Sequence, residues 1–172
     1  MKNLSKTFSL KNIKSIFSKG KVKHYLHQLV TLDASPSQIA ISVAFGVFIG
    51  LLLPMGLQTI VILPIAGLFE FNIVLAVTAS LISNPITMIP LYYTAVKIGE
   101  FITGITISWS RFEIFFENPS WSNLLSFGND GLAVFFSGSS LMGLTAAILT
   151  YFLILFLVKE LRNRRIMKST SS

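Results

Sequence analysis

Apolar and polar positions alternate in blocks rather than residue by residue. Three long stretches carry no charged side chain: Ala34 to Phe69 (36 residues), Phe71 to Val96 (26) and Gly131 to Val158 (28). A bilayer-spanning helix needs about 20 consecutive apolar residues, so each stretch is long enough to enter a membrane. The first is too long for one span and too short for two full spans with a turn. Pro54-Met55-Gly56 divides it, and Pro-x-Gly is strong turn punctuation. The pattern predicts a Pro-broken hairpin, Ser37 to Leu53 inward and Leu57 to Phe69 back, either re-entrant or as two short tilted helices. The second stretch breaks at Ser83-Asn84-Pro85. Asn is a preferred N-cap and Pro a preferred first helical residue, so a discontinuous span is expected from Asn72 to Gly104. The third predicts a final long helix from Leu132 to Val158. Its Ser/Gly-rich first half (Ser137 to Ser140, Gly143) suits close packing, and its bulky second half suits lipid.

Composition supports this division. Of the 172 residues, 52% are hydrophobic and 12% charged, with a mean hydropathy of +0.71, which is too apolar for a water-soluble domain. The net charge of +7 is not a nucleic-acid footprint, because seven of the fourteen cations precede Thr31 and five follow Val158. By the positive-inside rule both ends are cytoplasmic and the connector from Lys97 to Asp130 lies outside. A secretory signal fits poorly, since a lysine-rich segment precedes an apolar run far too long for one.

The expected class is an all-α polytopic membrane protein. Residues 1–32 form a basic cytoplasmic segment, 33–158 the integral domain and 159–172 a basic cytoplasmic tail. Within residues 1–32, Ile13, Ile16, Phe17, Val22, Tyr25, Leu26, Leu29 and Val30 recur at helical spacing between lysines. That describes an amphipathic helix, lying on anionic lipid through its lysines or packing as a cytosolic cap. Residues 105–131 mix Trp109, Trp121 and phenylalanines 112, 115, 116 and 127 with polar side chains, as an outer interfacial segment does.

Ser35-Pro36, Ile39-Ala40, Gly46-Val47-Phe48-Ile49-Gly50, Pro54, Gly56-Leu57-Gln58-Thr59, Ala66, Phe71-Asn72, Ser83-Asn84-Pro85 with Thr87, Pro90, Tyr92-Tyr93 and Gly99 together resemble the bacterial membrane family called domain of unknown function 2062. The likeness covers roughly Leu32 to Gly104 and the last helix. It implies a small inner-membrane protein without an assigned activity. Some relatives join the domain to glycosyltransferase-like regions, for which this chain has no counterpart. In architecture alone, the Pro-broken segments are also similar in style to DedA-type proteins, which are associated with lipid-carrier translocation, but the charged intramembrane residues of that family have no counterpart here.

The candidate chemistry lies at the two breaks. Backbone groups that leave helical pairing in hydrocarbon cost several kcal/mol each unless they are satisfied, so the breaks should meet. Their half-helix N-termini would then converge on an anion, with Gln58, Thr59, Asn84 and Thr87 as hydrogen-bonding side chains around Pro54, Gly56 and Pro85. Kinks that merely satisfy each other are the other reading. Gly46-x-x-x-Gly50 offers a flat packing face, expected to meet the last helix within the chain rather than a second copy in a homodimer. Glu70 is a candidate for proton coupling or partner contact. Lys97 and Glu100 are expected to form a surface pair. His24 and His27 are spaced like metal ligands but lack companions, so no metal and no cofactor is assigned. The chain has no cysteine, which excludes disulfides, thiol catalysis and Cys–zinc sites. With no paired carboxylates, nucleophile–base set or phosphate loop, catalysis is not expected. The leading expectation is a protein binding or transporting a lipid-linked or anionic small substrate at the breaks. The alternative is a non-catalytic scaffold or anchor for a cell-envelope enzyme. Membrane lipid is the expected partner, homodimerisation is expected because a chain of this size has few helices to build a pathway, and nucleic acid is not expected.

Overall fold

The computed structural model describes residues 33–54, 56–69, 71–108 and 128–170, with Ser110, Ser122 and Leu125. The amphipathic segment 1–32 with His24 and His27, Glu70, and the tryptophans and phenylalanines of the 105–131 connector lie outside the described residues. The described residues form five helices and no strand: α1 (Pro36–Leu52), α2 (Leu57–Leu68), α3 (Ile73–Ser80), α4 (Met88–Thr103) and α5 (Gly128–Thr170).

Local chemistry sets each boundary. Ser35 and Gln38 form a reciprocal capping box ahead of Pro36, with Gln38 N–H donating to Ser35 Oγ (3.1 Å) and Ser35 N–H to Gln38 Oε1 (2.8 Å). Pro54 and Gly56 stop α1 and restart the chain as α2, and Gly56 takes φ +98°, a conformation that favours glycine. Asn72 caps α3 through its side chain, which accepts from Leu75 N–H. Pro90 is tolerated because it lies in the first turn of α4, and Gly104, in the left-handed region, closes that helix with its N–H on Glu100 O. The N-terminus of α4 differs from expectation. The helix begins at Met88, not Pro85, because Asn84 first organises a non-helical turn.

Helix directions follow from the contacts. Ser42 Oγ accepts from Asn72 N–H (2.8 Å), Gly46 lies against the Ala76 carbonyl and Gly50 against the Ser80 carbonyl, so α1 and α3 run parallel with a constant offset along the chain. The α2 helix must therefore return antiparallel to α1. Gly99 abuts Val134, and Gly138 abuts Ala95, which makes α5 antiparallel to α4. Gly143 meets Phe48 while Ala44 faces the Ala147–Phe152 stretch, so α5 is also antiparallel to α1. Hence α3 and α4 continue in one direction across their break. Met88, Tyr92, Val96, Ile107, Val134 and Phe135 form one buried cluster, with Ile49, Ile62 and Ala76 at the centre of another.

The α5 helix outruns the expected Leu132–Val158. Its Gly128–Arg164 portion, whose most apolar 18 residues have a mean hydropathy of 2.4, is long and apolar enough to cross a membrane. By contact density the chain divides into Ser35–Leu157 and a second unit of Met1–Ala34 with Val158–Ser172. Within the latter, Arg162 Nη2 donates to Ala34 O (2.8 Å), and Arg164 pairs with Glu160 one turn away.

Candidate functional site: the junction of the two breaks

The two breaks are hydrogen-bonded to each other. Gln58, in the first turn of α2, is 3% exposed, and Ser83, just before Asn84-Pro85, is fully buried. Gln58 Nε2 lies 2.5 Å from Ser83 Oγ and 3.2 Å from the carbonyls of both Gly50 and Leu53, while Ser83 Oγ donates to Gly50 O at 2.6 Å. Ser83 spends its only proton on Gly50, so it accepts from Gln58, and two amide hydrogens serve three acceptors. Reversing the amide would set oxygen against two carbonyl oxygens, which fixes its orientation. The Gly50 and Leu53 carbonyls are among those a helix C-terminus leaves without intrahelical partners. Tyr92, fully buried in α4, points its hydroxyl at Leu53 O (3.5 Å) and meets Phe135 edge-on at 5.6 Å.

The expected site residues divide accordingly. Gln58 reaches across to the second break. Asn84 and Thr87 instead close their own turn: Asn84 Oδ1 accepts from the N–H groups of Ile86 and Thr87, and the Thr87 hydroxyl accepts from Asn84 N–H and donates to Ile82 O. Pro54 is buried, whereas Gly56, Thr59 and Pro85 are exposed. The amide hydrogens of Gln58 are thus shared by Ser83 Oγ and the Gly50 and Leu53 carbonyls, and the hydroxyl proton of Ser83 goes to Gly50 O. Ser83 and Tyr92 were absent from the expected set. A small hydroxyl residue directly before Asn-Pro is the signal for Ser83, and the fourfold spacing of Met88, Tyr92 and Val96 marks Tyr92 as inward-facing.

The glycine pair has a different partner from the one expected. Gly46 and Gly50 pack on Ala76 and Ser80 of α3, and a Cβ on either would collide with backbone there. The last helix uses its own Gly138 against Ala95 and Gly99 of α4. The cause is register: the constant offset between α1 and α3 sets Gly46 opposite Ala76 and Gly50 opposite Ser80. With α3 on them, both glycines are buried.

Lys97 and Glu100 pair at 2.7 Å, as expected, but Glu100 is not merely a surface acid. Its side chain is 12% exposed, and its other oxygen accepts from Ile107 N–H at 2.9 Å, tying the segment after α4 back to the helix. Lys97 also lies 5.7 Å from the centre of the Tyr93 ring.

Among the described residues the molecule is thus all-helical, with one helix long and apolar enough to cross a membrane and an internally bonded junction between two interrupted helices. It belongs to the bacterial family described as "Uncharacterized protein conserved in bacteria (DUF2062)", whose model matches residues 20–167, most of the chain. The chain matches no curated protein and no solved structure.

Proposed function

We propose that the chain is a multi-pass inner-membrane protein with both termini cytoplasmic, acting as a non-catalytic scaffold or anchor for a cell-envelope enzyme. Helix lengths support the topology. With a rise of 1.5 Å per residue, α1 (17 residues) and α2 (12) extend about 25 and 18 Å, less than a hydrocarbon core of about 30 Å, as befits a re-entrant hairpin. Running in one direction, α3 (8) and α4 (16) add about 12 and 24 Å and together make the broken crossing, with α5 the return. The observation that carries the scaffold reading is the closed hydrogen bonding of Gln58 and Ser83 onto the Gly50 and Leu53 carbonyls. Donors already committed to buried carbonyls are not offered to a ligand.

Binding or transport of a lipid-linked or anionic substrate is the second reading. It is favoured by one observation: α2 starts at Gly56 without a side-chain cap, with the exposed Thr59 in its first turn. Native mass spectrometry of the protein from mild detergent separates the two. Under the scaffold reading no anion or lipid-linked sugar is retained, and Thr59→Val changes neither the spectrum nor the stability. A stoichiometric anionic adduct that disappears in Thr59→Val would establish the second reading and sink the first.

A further inference from the structure

Charge is divided unequally between the two units of the chain. Met1–Ala34 with Val158–Ser172 carries twelve of the fourteen cations and two of the seven acids, a net +10, whereas Ser35–Leu157 carries two cations and five acids, a net −3. Within the basic unit one bond joins the two ends of the chain, from Arg162 Nη2 to Ala34 O at 2.8 Å. The lysine-rich N-terminal run therefore ends beside the arginine-rich end of α5. That end is helical to Thr170, so Lys159, Arg162 and Arg164 stand at fixed heights beyond the charge-free run that stops at Val158. Lys159 and Arg164 are exposed, and the Glu160 that pairs with Arg164 does so in the open, where an ion pair holds little. Arg162 is bonded to a neutral carbonyl, which leaves its charge uncompensated by that contact. Like charge gathered to this extent repels itself unless an anionic partner offsets it.

We infer that the turns of α5 from Lys159 to Arg164 form a binding surface for the headgroups of anionic phospholipid in the cytoplasmic leaflet. Depth identifies the partner. At a rise of 1.5 Å per residue, Lys159, Arg162 and Arg164 lie about 1.5, 6 and 9 Å past Val158, and the headgroup layer of one leaflet is about 5–7 Å thick. The first two are level with lipid phosphates and the third stands just above them. An acidic protein or a nucleic acid would have to reach these positions through the headgroups. Distribution around the helix agrees. With 3.6 residues per turn, Lys159 and Arg162 share one side of α5 and Arg164 falls on the opposite side. Lipid surrounds a spanning helix, whereas a docked protein meets one face. Basic clusters immediately cytoplasmic of a spanning helix attract anionic headgroups, by on the order of fivefold in affinity for each charge near the surface. The inference rests on the membrane reading above, though not on the scaffold role.

The test places the full chain in phosphatidylcholine vesicles with a trace of spin-labelled phosphatidylglycerol or spin-labelled phosphatidylcholine, the label near the end of the acyl chain. Electron paramagnetic resonance then compares the fraction of each lipid immobilised at the protein. Phosphatidylglycerol is expected to be immobilised with severalfold preference, and salt at about 1 M, where the Debye length is about 3 Å, should erode that preference. Lys159→Gln with Arg164→Gln leaves the Arg162–Ala34 bond in place and should cut the preference severalfold. Lys159→Gln alone should reduce it by less and serves if the double variant fails to fold. Lys97→Gln, outside the basic unit, should leave it unchanged. Equal immobilisation of the two lipids, indifference to the α5 substitutions, or an equal loss in Lys97→Gln overturns the site. Capture of polyglutamate by vesicles that show no lipid preference would assign the surface to an acidic protein instead. No immobilised component for either lipid overturns the membrane reading itself.

Discussion

Two helix–helix seams in this molecule are built from small residues and held in different ways. Between α4 and α5, Gly99 and Gly138 bring the backbones together, and large buried side chains surround the contact: Tyr92, Val96, Val134 and Phe135. Between α1 and α3, the Gly46/Ala76 and Gly50/Ser80 rungs are pinned by polar groups, Ser42 to Asn72 at one end and Ser83 to Gly50 at the other. The first seam is secured by shape and apolar burial, the second by directional bonds. Under the membrane reading proposed above, packing and interhelical hydrogen bonding are the two devices that hold helices together in lipid, and each seam relies chiefly on one of them.

The largest expected effect tests the shape-held seam. Gly138→Ala or Gly99→Ala sets a methyl against backbone that cannot yield, and should destabilise by about 3 kcal/mol or more. Loss of a monodisperse peak in size-exclusion chromatography in detergent would register it. Unchanged elution and melting would mean that the seam is looser than described.

Next is the polar pin at the junction. Gln58→Leu keeps bulk but strips a donor from Leu53 O and from Ser83, for a cost of about 2–3 kcal/mol, or roughly 4–12 °C in Tm by circular dichroism. If instead Tm holds and only a bound ligand is lost, the junction is a binding site and not a lock. Ser42→Ala, at the other end of the seam, leaves Asn72 N–H without its acceptor and should cost about 1–2 kcal/mol by the same melting assay. Combining Gln58→Leu with Ser42→Ala should exceed their sum if the two pins hold one register, and equal it if they act separately.

The smallest effects sharpen the contrast between buried and exposed polar contacts. Lys97→Gln should not measurably change melting, because the lysine side chain is half exposed and its ion pair is screened. Glu100→Ala should be more damaging, since Ile107 N–H loses its acceptor at the edge of the apolar cluster. Equal behaviour of the two variants would show that the carboxylate does nothing beyond pairing with Lys97.

The elements were legible where punctuation is local. Ser35-Pro36, Pro54-x-Gly56 and Gly104 mark helix ends by backbone chemistry that needs no partner, and those ends fall within a residue or two of where the pattern places them. That the breaks touch was legible too, from the cost of unpaired backbone in hydrocarbon. Which residues touch was not. Asn84 looks like the donor to send across, but its side chain serves its own turn, and the smaller Ser83 makes the crossing. Likewise Gly46-x-x-x-Gly50 shows a flat face without naming its partner, because α3 becomes that partner only through a register set by the return of α2.

That parallel register has a consequence for assembly during synthesis. Because α1 and α3 point the same way, the groove that receives α3 exists only after about thirty further residues have emerged and the chain has doubled back through α2. Until then the two glycines of α1 have no α3 backbone against them. The first hairpin is therefore incomplete until its neighbour arrives, and a stop codon placed between Phe69 and Asn72 should leave a product recognised by quality-control proteases.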